Sequence, residues 1–337
     1  MVKNEIMKQI LAKIIQGEKL SFEEAKSAML HIGKGEANQS QIASFLTVFM
    51  MRGVEPQELY GFRTAMLELC IPVDLSDFDT MDMCGTGGDG KNTFNVSTIS
   101  SFILAASGVK VTKHGNYAVS SAVGSSNVIE SLKYTFTNNP DQLKKELDIA
   151  GITFLHAPLF HPAMKHVGPV RKDLGMKTFF NILGPLINPS QPKKQLTGVY
   201  AKNILPLYKY VLDQATENYA IAFSLDVYDE ISLTGDFLVV QKSGERIYSP
   251  EELGFTKTTP LEIDGGETKE QAAHILTSVI SGKGTKAHNE VIAANAGLAI
   301  SVGKGVSFKD GISEANEIIQ SGKAALVLKK LLEINKA

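Results

Sequence analysis

Apolar residues between positions 3 and 70 recur with a helical period and no other. Ile6, Ile10 and Ile14 stand four apart, and Ile42, Phe45, Leu46, Phe49 and Met50 form a second stripe that stops at Gly53. Ser21 followed by Glu24 spells a capping box, with Leu20 placed for a hydrophobic staple. Pro56 opens a further helix that reaches to about Cys70, ahead of Pro72. The pattern predicts a small helical bundle whose Phe- and Met-rich faces suit a dimer surface.

From about residue 80 the rhythm changes. Short apolar strands are predicted at 80–84, 109–112, 152–155, 196–200 and 219–224, with helices between them, for example at 140–150 and 204–216. Such alternation implies a mostly parallel sheet covered by helices, with ligands held at the carboxyl ends of the strands. Residues 236–242 and 245–248, joined around Ser243 and Gly244, predict an antiparallel hairpin, and 267–334 turns helical again. Segment 161–189 reads as neither a strand nor an ordinary loop. The expected fold is α/β, with a small N-terminal helical domain and a large domain built on a helix-flanked sheet.

Composition narrows the function classes. The 337 residues suffice for one large domain and a smaller one. A formal net charge of −2 gives no electrostatic reason to expect nucleic-acid binding. Cys70 and Cys84, the two cysteines, match no zinc pattern or disulfide framework and suit a reducing compartment. No apolar run approaches the roughly 20 residues of a membrane span. The start, Met-Val-Lys-Asn-Glu, lacks a signal peptide's apolar core, so a cytoplasmic protein is expected.

Candidate chemistry concentrates in two loops. Gly85, Gly87, Gly88 and Gly90 clear side chains from the first, and Thr93, Asn95, Ser97 and Thr98 add polar groups where an apolar helix begins at Val96. A glycine loop feeding a helix N-terminus favours an anion, through unpaired amides and the helix dipole. It is neither a Walker loop nor a dinucleotide fingerprint, since the Gly-Lys-Ser/Thr ending and the glycine spacing are both missing. Asp89 inside this cradle would repel a bare phosphate, which points to a magnesium–polyphosphate or a phosphorylated sugar. The second loop follows the strand at 109–112 and carries Lys113, Asn116, Ser120, Ser121 and Ser125. Asp229 and Glu230 follow the strand at 219–224 and offer adjacent carboxylates, with Asp226 close by; a pair of this kind is ordinarily a solvated loop, and otherwise a magnesium site. His31, His156, His166, His274 and His288 have no supporting constellation and read as structural or surface residues.

Taken in order, Gly85-Thr-Gly-Gly-Asp89, Asn95-Val-Ser-Thr98, Lys113-His-Gly-Asn116, His161-Pro162, Arg171 and Lys177-Thr-Phe-Phe-Asn-Ile-Leu-Gly-Pro-Leu-Ile-Asn-Pro189 closely resemble the anthranilate phosphoribosyltransferase family. The resemblance runs from the first helices nearly to the C-terminus. It implies a nucleoside phosphorylase/phosphoribosyltransferase-like homodimer. Residues 1–72, with about 165–190 packing back onto them, would form the small domain, and 73–337 the large one. The implied reaction transfers the phosphoribosyl group of 5-phosphoribosyl 1-pyrophosphate to the amine of anthranilate, the second step from chorismate to tryptophan, with no acid or base residue required. Gly85, Gly88, Asp89, Thr93, Asn95, Val96, Ser97, Thr98, Lys113, Ser120, Ser121 and Ser125 would hold the donor. The acceptor would meet Gly85, His114, Asn116, His161, Arg171 and Pro185, with Arg171 against its carboxylate. Magnesium would sit on Ser97, Asp229 and Glu230. The chain departs from the commonest family pattern at Tyr117, at Ala122-Val123 and at Lys177, which stands in place of an arginine. Two other readings share parts of this description. A pyrimidine-nucleoside phosphorylase would be longer and lack the Gly-Pro-Leu-x-Asn-Pro block, and a non-catalytic nucleic-acid-binding paralogue would show a basic groove and eroded magnesium ligands.

Overall fold

A computed structural model describes residues 3–117 and 123–336. The N-terminal bundle comprises α1 (Lys3–Ile15), α2 (Phe22–Gly33), α3 (Gln39–Arg52) and α4 (Pro56–Glu68). Ser21 and Glu24 form the expected reciprocal cap on α2, Gly53 ends α3 at φ 79°, and Pro56 starts α4. The stripes point inward: Ile10, Ile14, Ile42, Phe45, Leu46 and Phe49 are all buried.

Strands β1 (Thr80–Gly85), β2 (Lys110–Gly115), β3 (Ile152–His156), β4 (Lys194–Gly198), β5 (Asn218–Ser224), β6 (Phe237–Gln241) and β7 (Gly244–Tyr248) make one sheet in the order β3-β2-β1-β4-β5-β6-β7. The first five run parallel and the last two add an antiparallel hairpin. The chain winds outward from β1 to β3 and then resumes beside β1 with β4. The order therefore reverses between β1 and β4, where the carboxyl ends open a crevice.

Helices α5 (Val96–Ala106), α6 (Ser125–Ser131), α7 (Pro140–Ala150), α8 (Ala157–Phe160), α9 (Met164–Leu174), α10 (Phe180–Leu183), α11 (Leu205–Ala215), α12 (Lys269–Ile280), α13 (Lys286–Lys304), α14 (Phe308–Ser321) and α15 (Lys323–Asn335) cover the sheet or join the bundle. Along β5 the side chains alternate as a pleat requires. Ala220 and Ala222 enter the core formed with α5 and α12–α15, whereas Tyr219, Ile221 and Phe223 enter the core shared with α11 and the N-terminal helices. The 161–189 segment supplies α9 and α10, and its Val167, Val170 and Phe179 are buried in that second core. Phe179 stacks on Phe62 of α4 with centroids 4.6 Å apart.

Two strands differ from their expected bounds by more than one residue. β2 continues through Lys113 and His114 to Gly115, because their backbones pair with Phe154 and Leu155 of β3. β4 begins at Lys194 and ends at Gly198, in register with β1. Among the described residues, no single helix is long and apolar enough to cross a membrane.

Candidate active site

The crevice between β1 and β4 opens into a cavity of about 630 Å³, the size of a substrate site. Every expected site residue in the described part of the chain lines it; Ser120 and Ser121 lie outside the described residues.

Its polar end begins where β1 stops. Gly87, Gly88 and Gly90 take positive φ of 66°, 82° and 75°, which lets the chain curl back toward the start of α5. Asn95 ties this loop to the second one, its Nδ2 donating to Val123 O at 3.1 Å. Beneath both lies Lys113, only 2% exposed, whose Nζ donates to Met83 O at 2.5 Å and to Ser97 Oγ at 3.2 Å. Burial pushes its ammonium pKa down, while Cys84, Asp82 and Glu230 pull it up. In the second loop, Ser125 Oγ donates to Asn116 O at 3.2 Å.

Asp229 and Glu230 do not form a solvated loop. Asp229 is buried, and its Oδ2 accepts from Gly87 N at 2.6 Å. Burial, then the nearby Asp89 carboxylate, pushes Asp229 up to about 7. Burial and the same two neighbours push Glu230 well above the ordinary range, and burial raises Asp89. Three carboxyl groups thus crowd one corner, with Lys113 the buried cation nearby. Among the described residues no three His, Cys, Asp or Glu side chains form a closed metal cage. An open, all-oxygen corner suits magnesium, which takes one or two carboxylates and completes its shell with water and phosphate.

The other end is lined by the His114, His161 and Phe180 rings and by Arg171. His114 Nδ1 lies 3.2 Å from Gly184 O; a carbonyl only accepts, so Nδ1 carries the proton and Nε2, which has no partner, presents a lone pair. His161 packs edge-on to His114 with centroids 5.2 Å apart. Burial, then His161, lowers His114 to about 3, and burial lowers His161 to about 4, so both rings are neutral. Arg171, on α9, donates from Nη2 to Asn181 Oδ1 at 3.4 Å and lies 5.3 Å from the Phe180 ring centroid. No carboxylate among the described residues pairs with it, and its Nε is buried without a partner. Pro185 closes this end, its carbonyl accepting from Gln195 Nε2 at 2.7 Å.

Two supporting residues, Asp82 and Gly198, are not among the candidates the sequence offers, and a third, Lys177, stands there only as a departure from the family pattern. Asp82, fully buried in β1, accepts from His114 N at 3.2 Å and from Asn188 Nδ2 at 2.9 Å, so it fixes the acceptor end from below. A carboxylate inside an apolar strand is the signal that marks it. Gly198 pairs in register with Gly85, and a glycine ending a strand signals close backbone approach. Lys177 Nζ donates to Gly88 O at 2.5 Å, a contact across the cleft that no local pattern announces.

Two family models match the chain. The one described as "Glycosyl transferase family, helical bundle domain" covers residues 8–70, and "Glycosyl transferase family, a/b domain" covers 77–325. The anthranilate phosphoribosyltransferase of Flavobacterium johnsoniae is 52% identical over 329 residues, 98% of this chain and 100% of that one. The chain belongs to the anthranilate phosphoribosyltransferase family. Solved structures of that family superpose closely. The Thermus thermophilus enzyme has a TM-score of 0.92 at 33% identity, over 97% of this chain and 99% of that one. The Saccharomyces cerevisiae anthranilate phosphoribosyltransferase, in complex with PRPP and Mg, has a TM-score of 0.90 at 28% identity, over 98% of each chain.

Proposed function

We propose that the chain transfers the phosphoribosyl group of 5-phosphoribosyl 1-pyrophosphate to anthranilate, giving N-(5-phosphoribosyl)anthranilate and pyrophosphate in tryptophan biosynthesis. The observation that carries this reading is the two-ended cavity: an anion cradle beside a carboxylate corner, facing an unpaired arginine among neutral rings.

The donor's phosphates lie against the glycine loop, the start of α5 and the Lys113–Ser125 loop, with Gly85, Gly88, Asp89, Thr93 and Asn95–Thr98 around pyrophosphate and ribose. Ser97, Asp229 and Glu230 hold magnesium, which when bound neutralises charge on the departing pyrophosphate. Arg171 takes the anthranilate carboxylate, since its planar fork matches two oxygens. His114 Nε2 accepts an N–H of the aromatic amine and aims the nitrogen lone pair at C1. The C1–N bond forms as the C1–O bond to pyrophosphate breaks, and the amine proton passes to solvent. Because an aromatic amine is nearly unprotonated at neutral pH, positioning and electrostatics suffice.

The proposed division is a small unit of residues 1–72 with about 165–190 and a large unit of 73–337, meeting at the cleft. It is supported by the shared burial of Val167, Val170 and Phe179 with the bundle. A cytoplasmic homodimer joined through the bundle completes the reading. Anthranilate emission should fall on addition of donor and magnesium. Constant emission, with uridine consumed in the presence of phosphate, would move the chain to a phosphorylase activity.

A further inference from the structure

Glu230 belongs to a loop, yet the peptide linking it to Ile231 is held along both edges. On one edge Ser224 Oγ, fully buried at the end of β5, donates to Glu230 O at 2.6 Å. On the other, Asn295 Oδ1 accepts from Ile231 N at 3.1 Å. The same asparagine donates from Nδ2 to Ile231 O at 2.8 Å, and also to Val291 O at 2.8 Å. Asn295 therefore treats Ile231 as a neighbouring strand would, satisfying both its N–H and its C=O.

The placement of Asn295 is unusual for a polar side chain. It lies midway along α13, flanked by the buried Val291, Ile292, Ala293, Ala294 and Ala296. An amide buried among apolar groups is costly unless its bonds are made, and here three of its four are. An alanine would pack there without that cost, so packing alone does not account for the residue. Two of the three bonds converge on one loop residue, Ile231, next to a carboxylate in the cavity, and the third stays within α13.

We propose that Asn295 is a positioning residue that, together with Ser224, fixes the backbone beneath Glu230 and so presets its carboxylate for the magnesium–donor complex. The proposal rests on the reading of Glu230 as a magnesium ligand. Groups that orient ligands from behind are worth about 10- to 100-fold in metal affinity when removed.

The test titrates 5-phosphoribosyl 1-pyrophosphate calorimetrically into Asn295→Ala, Ser224→Ala, Glu230→Gln and wild-type protein across a magnesium series, without anthranilate and so without turnover. Asn295→Ala and Ser224→Ala should each need about 10- to 100-fold more magnesium for the same donor affinity. In separate assays, saturating magnesium should return kcat to near the wild-type value. A purely structural asparagine would lower kcat without magnesium rescue, or lower only the melting temperature, and either result overturns the proposal. Should Asn295→Ala fail to fold, Ser224→Ala decides, since it acts from the opposite edge, losing the bond to Glu230 O and two longer ones from Ser232 N and Oγ. Unchanged magnesium demand in the folded variants, with raised demand in Glu230→Gln, overturns the clamp alone. Unchanged demand in Glu230→Gln overturns the metal reading and the clamp with it.

Discussion

Gly198 and Asp229 are in such close contact that a Cβ on Gly198 would lie 1.6 Å from the Asp229 carbonyl oxygen. Its strand partner Gly85 is equally bare, and a Cβ there would lie 2.1 Å from Asp229 Oδ2. The paired glycines end β1 and β4 at the point where strand order reverses. The loop after β5 therefore drops onto the carboxyl ends of these two strands, and its carboxylate enters the phosphate crevice.

Gly198→Ala tests this contact. The backbone of Gly198 is ordinary strand, so alanine brings no conformational strain and must instead push Asp229 away. A displacement of about 1 Å in a reacting complex costs roughly 100-fold in rate. The expected outcome is a drop of that order in kcat/KM with a folded circular dichroism spectrum. Wild-type kinetics would show that Asp229 need not sit over the strand ends.

Arg171 has no carboxylate partner among the described residues, so the acceptor is its natural counterion. Arg171→Ala should raise the anthranilate KM while leaving donor affinity nearly unchanged. Losing one partner of a hydrogen-bonded charge pair typically costs roughly 2–5 kcal/mol. Steady-state kinetics with each substrate varied separately reads the split. Equal damage to both substrates would assign Arg171 to the fold of α9 instead.

What could be read from the sequence was local. Stripes such as Ile42–Phe45–Phe49 and caps such as Ser21–Glu24 depend on neighbours within a few positions, and the structure keeps them. The glycine loop and the Lys113 loop were legible because their residue types are unusual together. The sequence pattern ends β2 at residue 112 because Lys113 and His114 are not typical strand residues; pairing with β3 and the bond to Met83 O override that preference. An adjacent Asp229–Glu230 pair does not by itself tell a solvated loop from a magnesium site, because burial there depends on Gly85 and Gly198, which are remote in sequence. Arg171 reads as one basic residue beside another until α9 packs against the bundle. Asn295 shows only as a polar break in an apolar helix, since its partner lies on a distant loop.

Replacing Asp229 and Glu230 by Asn and Gln keeps the shape of the corner and removes its charge. Turnover should fall by roughly a thousandfold, because stabilising the departing pyrophosphate is worth several kcal/mol. Excess magnesium should restore part of it. The protein without ligands should melt no lower than wild type at pH 8, since the substitution relieves buried like charges. A magnesium titration beside a melting curve reads both effects. Near-wild-type turnover at low magnesium would return the pair to a structural role.

His161 gives a prediction in the acid range. Burial holds its ring at about 4 against an ordinary 6.5, so the folded protein keeps it neutral where the unfolded chain is protonated. Stability from this residue is complete above pH 6.5 and is lost as pH falls from 6.5 toward 4. Carboxyls raised by burial, Asp229 among them, slope the opposite way through part of this window, so wild type alone cannot isolate the histidine. The comparison is His161→Phe, which keeps a ring and cannot take up a proton. Between pH 6.5 and 4, unfolding of the variant should take up about one proton fewer than wild type, giving a flatter acid limb in a plot of unfolding free energy against pH. Parallel curves for the two proteins would mean that His161 titrates normally in the folded state, and that the acceptor end of the cavity is wetter than its burial indicates.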